Sequence, residues 1–140
     1  MDQAGPSAIA ALLNPTWLNK KMTDMDIIKV PSPNFYRGRK IYKPEAIVIH
    51  IMLGTLYGTD SWFQSPVSKS SAHYGIGKTG EIHQYVDEKD AAYHAGRVNS
   101  PMWSLIKQTE NGLYISPDFY TIGIEHEGYC WPHGRMVAKS

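Results

Sequence analysis

Six histidines punctuate the chain, at positions 50, 73, 83, 94, 126 and 133. Three of them stand beside small residues where an extended segment gives out: His50 before "IMLG", His73 in "SAHYGIG" and His94 in "YHAG". Side chains at such places usually face a cleft, because the glycine-bearing loop backbone stays clear of it. Neutral imidazole nitrogen is a preferred zinc ligand, and a catalytic zinc takes three protein ligands and keeps its fourth position for water. For His50 a second reading stays open, a core histidine whose nitrogens are satisfied by backbone. Glu125 lies in "IGIEHEG". Alternation along a strand puts Ile122, Ile124 and His126 on one face and Gly123, Glu125 and Glu127 on the other. A carboxylate on such a strand is costly to bury unless it is paired or used. Its use beside an activated water is proton transfer, first as base and then as acid. The plain alternative is an exposed strand face. His83 reads as a structural residue on a hairpin face. Cys130 and His133 have two residues between them, a spacing compatible with metal ligation, while Pro132 and Gly134 suit a plain turn.

The elements that must position these groups follow from hydrophobic pattern and punctuation. "AIVIHI" (46–51) is a continuous, β-branched run and reads as a central strand buried on both faces. "GTDSWFQS" (58–65) reads as a short helix capped by Thr59 or Asp60. "SAHYGIG", "KTG" and "EIHQYV" read as a hairpin with a glycine-containing turn. "DEKDAAYHAG" reads as a loop or one helical turn. "FYTIGIEHEG" (119–128) is the last strong strand. Before these, "PSAIAALLN" (6–14) reads as a helix capped by Ser7 and ended by Pro15, "MTDMDIIKV" begins a strand, and "PSPNFYRGRK" (31–40) is a loop in which Pro31 and Pro33 remove donors. Strands mixed with short helices give an α/β domain with a mixed sheet.

The 140 residues suffice for one domain, and 42% hydrophobic and 19% charged residues are ordinary for a globular protein. A net charge of +1 supplies no field for nucleic acid or an anionic membrane surface, and the only basic cluster is "YRGRK" (36–40). One cysteine excludes an internal disulfide. No apolar run approaches the roughly 18 residues of a membrane span, and the N-terminus lacks the basic residues of a secretory signal.

"IVIHIMLGT", "SAHYGIGKTGEIHQYV", "AAYHAGR" and "TIGIEHEG" occur in this order. Together they resemble the zinc-dependent N-acetylmuramoyl-L-alanine amidases of type 2, which include phage lysozyme-like amidases and peptidoglycan recognition proteins. The resemblance covers Glu45 to Gly128. It implies a single domain with a mixed central β-sheet flanked by helices, and hydrolysis of the amide between N-acetylmuramic acid and L-alanine in peptidoglycan. It implies His50 as the first zinc ligand, His73 beside the metal-bound water and the developing oxyanion, and Glu125 as the proton carrier. Tyr93 and His94, with Tyr74 and Arg97, would line the substrate groove. The partner is a muropeptide, with no nucleic acid and no membrane, and the place of action is the cell wall, in a phage-lysis or secreted context.

The pattern also departs from the family. The second zinc histidine and the third ligand, Asp or Cys, lie in the family well beyond the "IGIE" strand, after a long helix, whereas twelve residues follow Gly128 here. The expectation is therefore a peripheral segment 1–30, an amidase-like domain 31–128, and an atypical tail 129–140 without the last helix. Zinc would be held weakly or not at all, with Cys130 and His133 as substitute ligands only if the tail folds back. The alternative function is a peptidoglycan-binding module without catalysis, or a truncated, inactive amidase.

Overall fold

The structure, a computed structural model, describes residues 26–130 and 136–137. The expected helix 6–14 and the ligand candidate His133 lie outside them. β-branched and apolar runs become strands: β1 Ile27–Lys29, β2 Phe35–Tyr36, β3 Ala46–Ile51, β4 Tyr74–Ile76, β5 Ile82–Gln84, β6 Ala91–Ala92, β7 Thr121–His126, β8 Tyr129–Cys130 and β9 Met136–Val137. The described α-helix, α1, spans Leu56–Gln64, and a 3-10 turn covers Pro117–Phe119. A five-stranded mixed sheet runs in the order β1-β5-β4-β7-β3. β4 and β5 are antiparallel, while the β1–β5, β4–β7 and β3–β7 pairs are parallel. β2 pairs with β6, and β8 with β9. The bounded runs thus give the mixed sheet and the "KTG" hairpin as expected. No helix among the described residues is long and apolar enough to cross a membrane.

Three expectations change. β3 is an edge strand of this sheet, not a central one, and its Ile47 and Ile49 are 62% and 59% exposed. An unbroken apolar run is equally compatible with either place, because burial is decided by neighbouring strands. The helix begins one turn earlier than expected. Its cap is Thr55, in extended backbone, whose hydroxyl accepts from the Gly58 N–H at 3.1 Å and satisfies one free donor of the first turn. Thr59 is instead a buried helix-interior residue. The "DEKDAAYHAG" stretch contains strand β6, which pairs with β2 from the proline-flanked stretch expected to be loop.

In-register pairing gives the sheet two distinct faces. The inner face carries Val48, His50, Gly123, Glu125, Gly75 and His83; the outer face carries Ile47, Ile49, Ile122, Ile124 and Tyr74. α1 turns Leu56, Thr59 and Phe63 inward, and Phe63 packs with Ala72, Tyr85, Val86 and Ala92. A second cluster joins Ala91, Phe119 and Tyr120. Glycine makes these approaches possible. A Cβ at Gly75 would lie 2.5 Å from the Tyr85 hydroxyl, and one at Gly123 would lie 2.5 Å from Cγ of His94.

Candidate active site

Gly123 is the floor on which the site is built. With no side chain there, the His94 ring drops onto β7 and reaches two partners. Its Nε2 lies 3.0 Å from Oγ1 of the fully buried Thr121, and its Nδ1 lies 3.1 Å from Nε2 of His50 on the neighbouring strand β3. Thr121 Oγ1 in turn donates to the Pro117 carbonyl at 2.7 Å. Burial, then the neighbouring His73, His50 and Arg39, lowers His94 to a pKa of about 3; burial also lowers that of His50. Both rings are neutral at neutral pH.

Glu125 pairs in register with His50, and both project from the inner face. Its Oε2 is buried and has no hydrogen-bond partner among the described residues, and burial raises its pKa above the ordinary carboxylate value. It lines a cavity of about 150 Å³ with Met52, Thr59, Trp62, Phe63 and Ser70. Unpaired buried carboxylate oxygens are rare in folded proteins, and a site that awaits a proton donor is one reason for them.

His73, expected on the cleft wall, is completely buried beneath this group. Its Nδ1 lies 3.0 Å from the Gly123 backbone nitrogen, and its Nε2 lies 3.2 Å from the Asp90 carbonyl. Arg39 Nη2 stands 2.6 Å from the same nitrogen. Burial is the main cause that holds His73 down at about 4, and the Arg39 cation adds to it. With Nδ1 occupied and the ring sealed, no nitrogen of His73 reaches an oxyanion. Arg39 belongs to "YRGRK", yet it is 6% exposed and donates to the carbonyls of Glu88, Asp118, Phe119 and Thr121. That cluster is in part an internal clamp, not a basic surface.

Of the expected groove residues, Tyr93 and Arg97 line one cavity of about 680 Å³. Tyr36 packs edge-on against Tyr93, with ring centroids 4.6 Å apart, and shares this cavity. Tyr74 is elsewhere: it projects from the outer face, where its hydroxyl donates to Glu88 at 2.6 Å. His83 is buried, with Nδ1 2.9 Å from Asp60 and no hydrogen-bond partner for Nε2 among the described residues. Asp118 is a residue the sequence reading missed. It is 6% exposed, its Oδ1 accepts the N–H groups of His94 and Ala95, and it lines the same cavity as Tyr93 and Arg97. It therefore ties the loop that carries His94 to the 3-10 turn before β7. The sequence signal available was "SPD", a serine-proline turn start followed by an acid.

Comparison with known proteins decides the family. The model of the N-acetylmuramoyl-L-alanine amidase family matches residues 40–139. The chain belongs to this amidase family. It is 39% identical over 94 residues to N-acetylmuramoyl-L-alanine amidase A of Achromobacter lyticus, an alignment that takes in 66% of this chain and 42% of that protein. The chain thus spans about two fifths of the length of this curated relative. A crystal structure of AmpD, as its selenomethionine derivative, is similar with a TM-score of 0.53 and 26% identity over 75% of this chain and 63% of that one. A mutant endolysin from Bacillus subtilis shares the fold at a TM-score of 0.50 and 20% identity, over 74% and 62% of the two chains.

Members of the amidase family generally depend on zinc and act on peptidoglycan. A catalytic zinc takes three protein ligands. Among the described residues no group of three His, Cys, Asp or Glu side chains is placed to hold a metal ion. His50, neutral and at a strand end, fits as a single ligand; the neighbouring His94 has both nitrogens engaged. Cys130 ends β8, and His133 lies outside the described residues. The described residues therefore do not by themselves make a zinc site.

Proposed function

We propose that this chain hydrolyses the amide between the lactyl group of N-acetylmuramic acid and the L-alanine of the peptide stem, with Glu125 as proton carrier. The observation that carries the reading is the buried, unpartnered Oε2 of Glu125 beside His50 on the inner face of the sheet. As water adds to the amide carbonyl, Glu125 takes one of its protons and then gives it to the departing amine nitrogen of alanine. A carboxyl raised by burial suits both halves of that exchange, because its two protonation states lie closer in energy near neutral pH. In the family zinc supplies the Lewis acid for this addition. In this chain His50 would be its ligand, with Cys130 and His133 as the candidates to complete the set. The cavity of Tyr93, Arg97 and Asp118 would take the muropeptide, the tyrosines offering flat surface and the charged groups polar contacts. Action on the cell wall follows from that substrate.

The test incubates the 140-residue chain with an N-acetylmuramoyl-peptide at rising zinc concentration and follows the free amino group of alanine. Hydrolysis that rises with zinc and vanishes in Glu125→Gln is expected. Hydrolysis unaffected by that substitution would refute the role of Glu125. A second reading, a peptidoglycan-binding module without catalysis, is favoured by the lack of a three-ligand group among the described residues. Binding of the same muropeptide without release of amine at any zinc concentration would select it.

A further inference from the structure

We propose that Thr121 and His94 are positioning residues that hold His50 in one tautomer, with its proton on Nε2 and its free electron pair on Nδ1. The Pro117 carbonyl can only accept, so the Thr121 hydroxyl, 2.7 Å away, spends its single proton there. The reverse arrangement would set two acceptors against each other at that distance. Thr121 Oγ1 therefore meets His94 as an acceptor, and the His94 proton sits on Nε2, 3.0 Å away. A neutral imidazole has one N–H, so Nδ1 of His94 carries a lone pair. The partner at 3.1 Å, Nε2 of His50, must then be the donor. The direction of each bond dictates the next, from a backbone carbonyl to the residue beside Glu125. No described residue hydrogen-bonds Nδ1 of His50, so its electron pair is the one that a cation or a proton donor entering the cleft meets.

Two features make this a built device. The His94 ring can occupy its place only because residue 123 is glycine, and Thr121 is fully buried, with no water needed to satisfy it. The two histidines are also coupled. If His94 moved its proton to Nδ1, it would face His50 as a donor, and His50 would have to move its proton to Nδ1 as well. Outer partners of this kind set the tautomer and orientation of a working histidine.

The experiment is long-range proton–nitrogen NMR on the histidine rings of the metal-free 140-residue chain at neutral pH. The expected spectrum has His50 and His94 each protonated at Nε2 alone. Thr121→Ser keeps the hydroxyl and should leave both tautomers in place. Thr121→Val removes it and should let both rings populate the Nδ1-protonated form together. A proton on Nδ1 of either ring in the unsubstituted protein overturns the proposal, as does a Thr121→Val protein whose two rings keep the original tautomers. The unsubstituted protein and Thr121→Ser decide the matter even if Thr121→Val does not fold. The use of the relay in hydrolysis rests on the amidase reading, but its existence does not. An intact relay without hydrolysis would sink the reading alone, and a mixed tautomer in an active chain would sink the relay alone.

Discussion

β3 and β7 lie side by side, six residues each, "AIVIHI" against "TIGIEH", paired position by position. Their outer faces carry isoleucine at matching places, yet Ile122 is 9% exposed while its partner Ile47 is 62% exposed. Composition does not separate them; position in the sheet does. β7 has a strand on each side and β3 has one. Their inner faces differ in kind. β3 supplies Val48 and then His50, and β7 supplies Thr121, Gly123 and Glu125. The central strand thus carries an anchor, a gap and a carboxylate, and the edge strand carries the ring they act upon. A functional group on a central strand is held from both sides, which suits a charge that must stay buried without a partner.

The comparison can be broken first at the chemistry. Glu125→Gln keeps shape and removes the proposed proton carrier, so zinc-supplemented hydrolysis should fall by about 10²–10⁴-fold with the fold intact. Circular dichroism alongside the amine-release assay separates loss of chemistry from loss of structure.

Packing gives the next largest effect. Ile122→Ala should cost about 2–5 kcal/mol, as expected for a buried aliphatic side chain. Urea denaturation of this variant measures the central half of the comparison.

Acid tests the sealed layer beneath the site. The pKa of His73 is about 4 in the folded chain against 6.5 when unfolded, so the unfolded state binds the extra proton between those values. Stability on this account is complete above pH 6.5 and is lost as pH falls toward 4, by about 3 kcal/mol in all. A series of urea midpoints across that window should fall with pH. Midpoints that stay flat or rise on acidification would contradict the burial of His73.

Gly123→Ala should destabilise by about 1–3 kcal/mol, since the new methyl group would overlap the His94 ring. Gly128→Ala, whose Cβ would meet only Ile51 at an ordinary 3.7 Å, is the control. The smallest effect is reserved for the edge. Ile47→Ala should change stability by less than about 0.5 kcal/mol, as for an exposed position away from special features. An Ile47 cost equal to that of Ile122 would erase the distinction between the two strands.

The order and type of the main elements were legible because their signals are local. β-branched runs gave β3 and β7, the "KTG" turn gave the hairpin, and alternation put Glu125 and Gly123 on one face of β7. The resemblance of four short motifs identified the family before any contact was known. What the sequence left open was non-local. Threonine at 121 and histidine at 94 are 27 residues apart, His94 and His50 are 44 apart, and His73 and Gly123 are 50 apart. Pattern reading sees the face on which a residue lies, but not which ring rests on which glycine.

By itself, then, the sequence determined a mixed α/β sheet and an amidase family, and it placed His50 and Glu125 near the ends of two strands. The tertiary structure alone decided that β3 forms an edge, that Tyr74 faces away, that His73 is sealed under Arg39, and that Asp118 lines one cavity with Tyr93 and Arg97. The physical reason is that propensity and periodicity act through bonds along the chain. Burial, proton placement and cavity shape instead depend on which distant segments the sheet brings within 3–4 Å of each other.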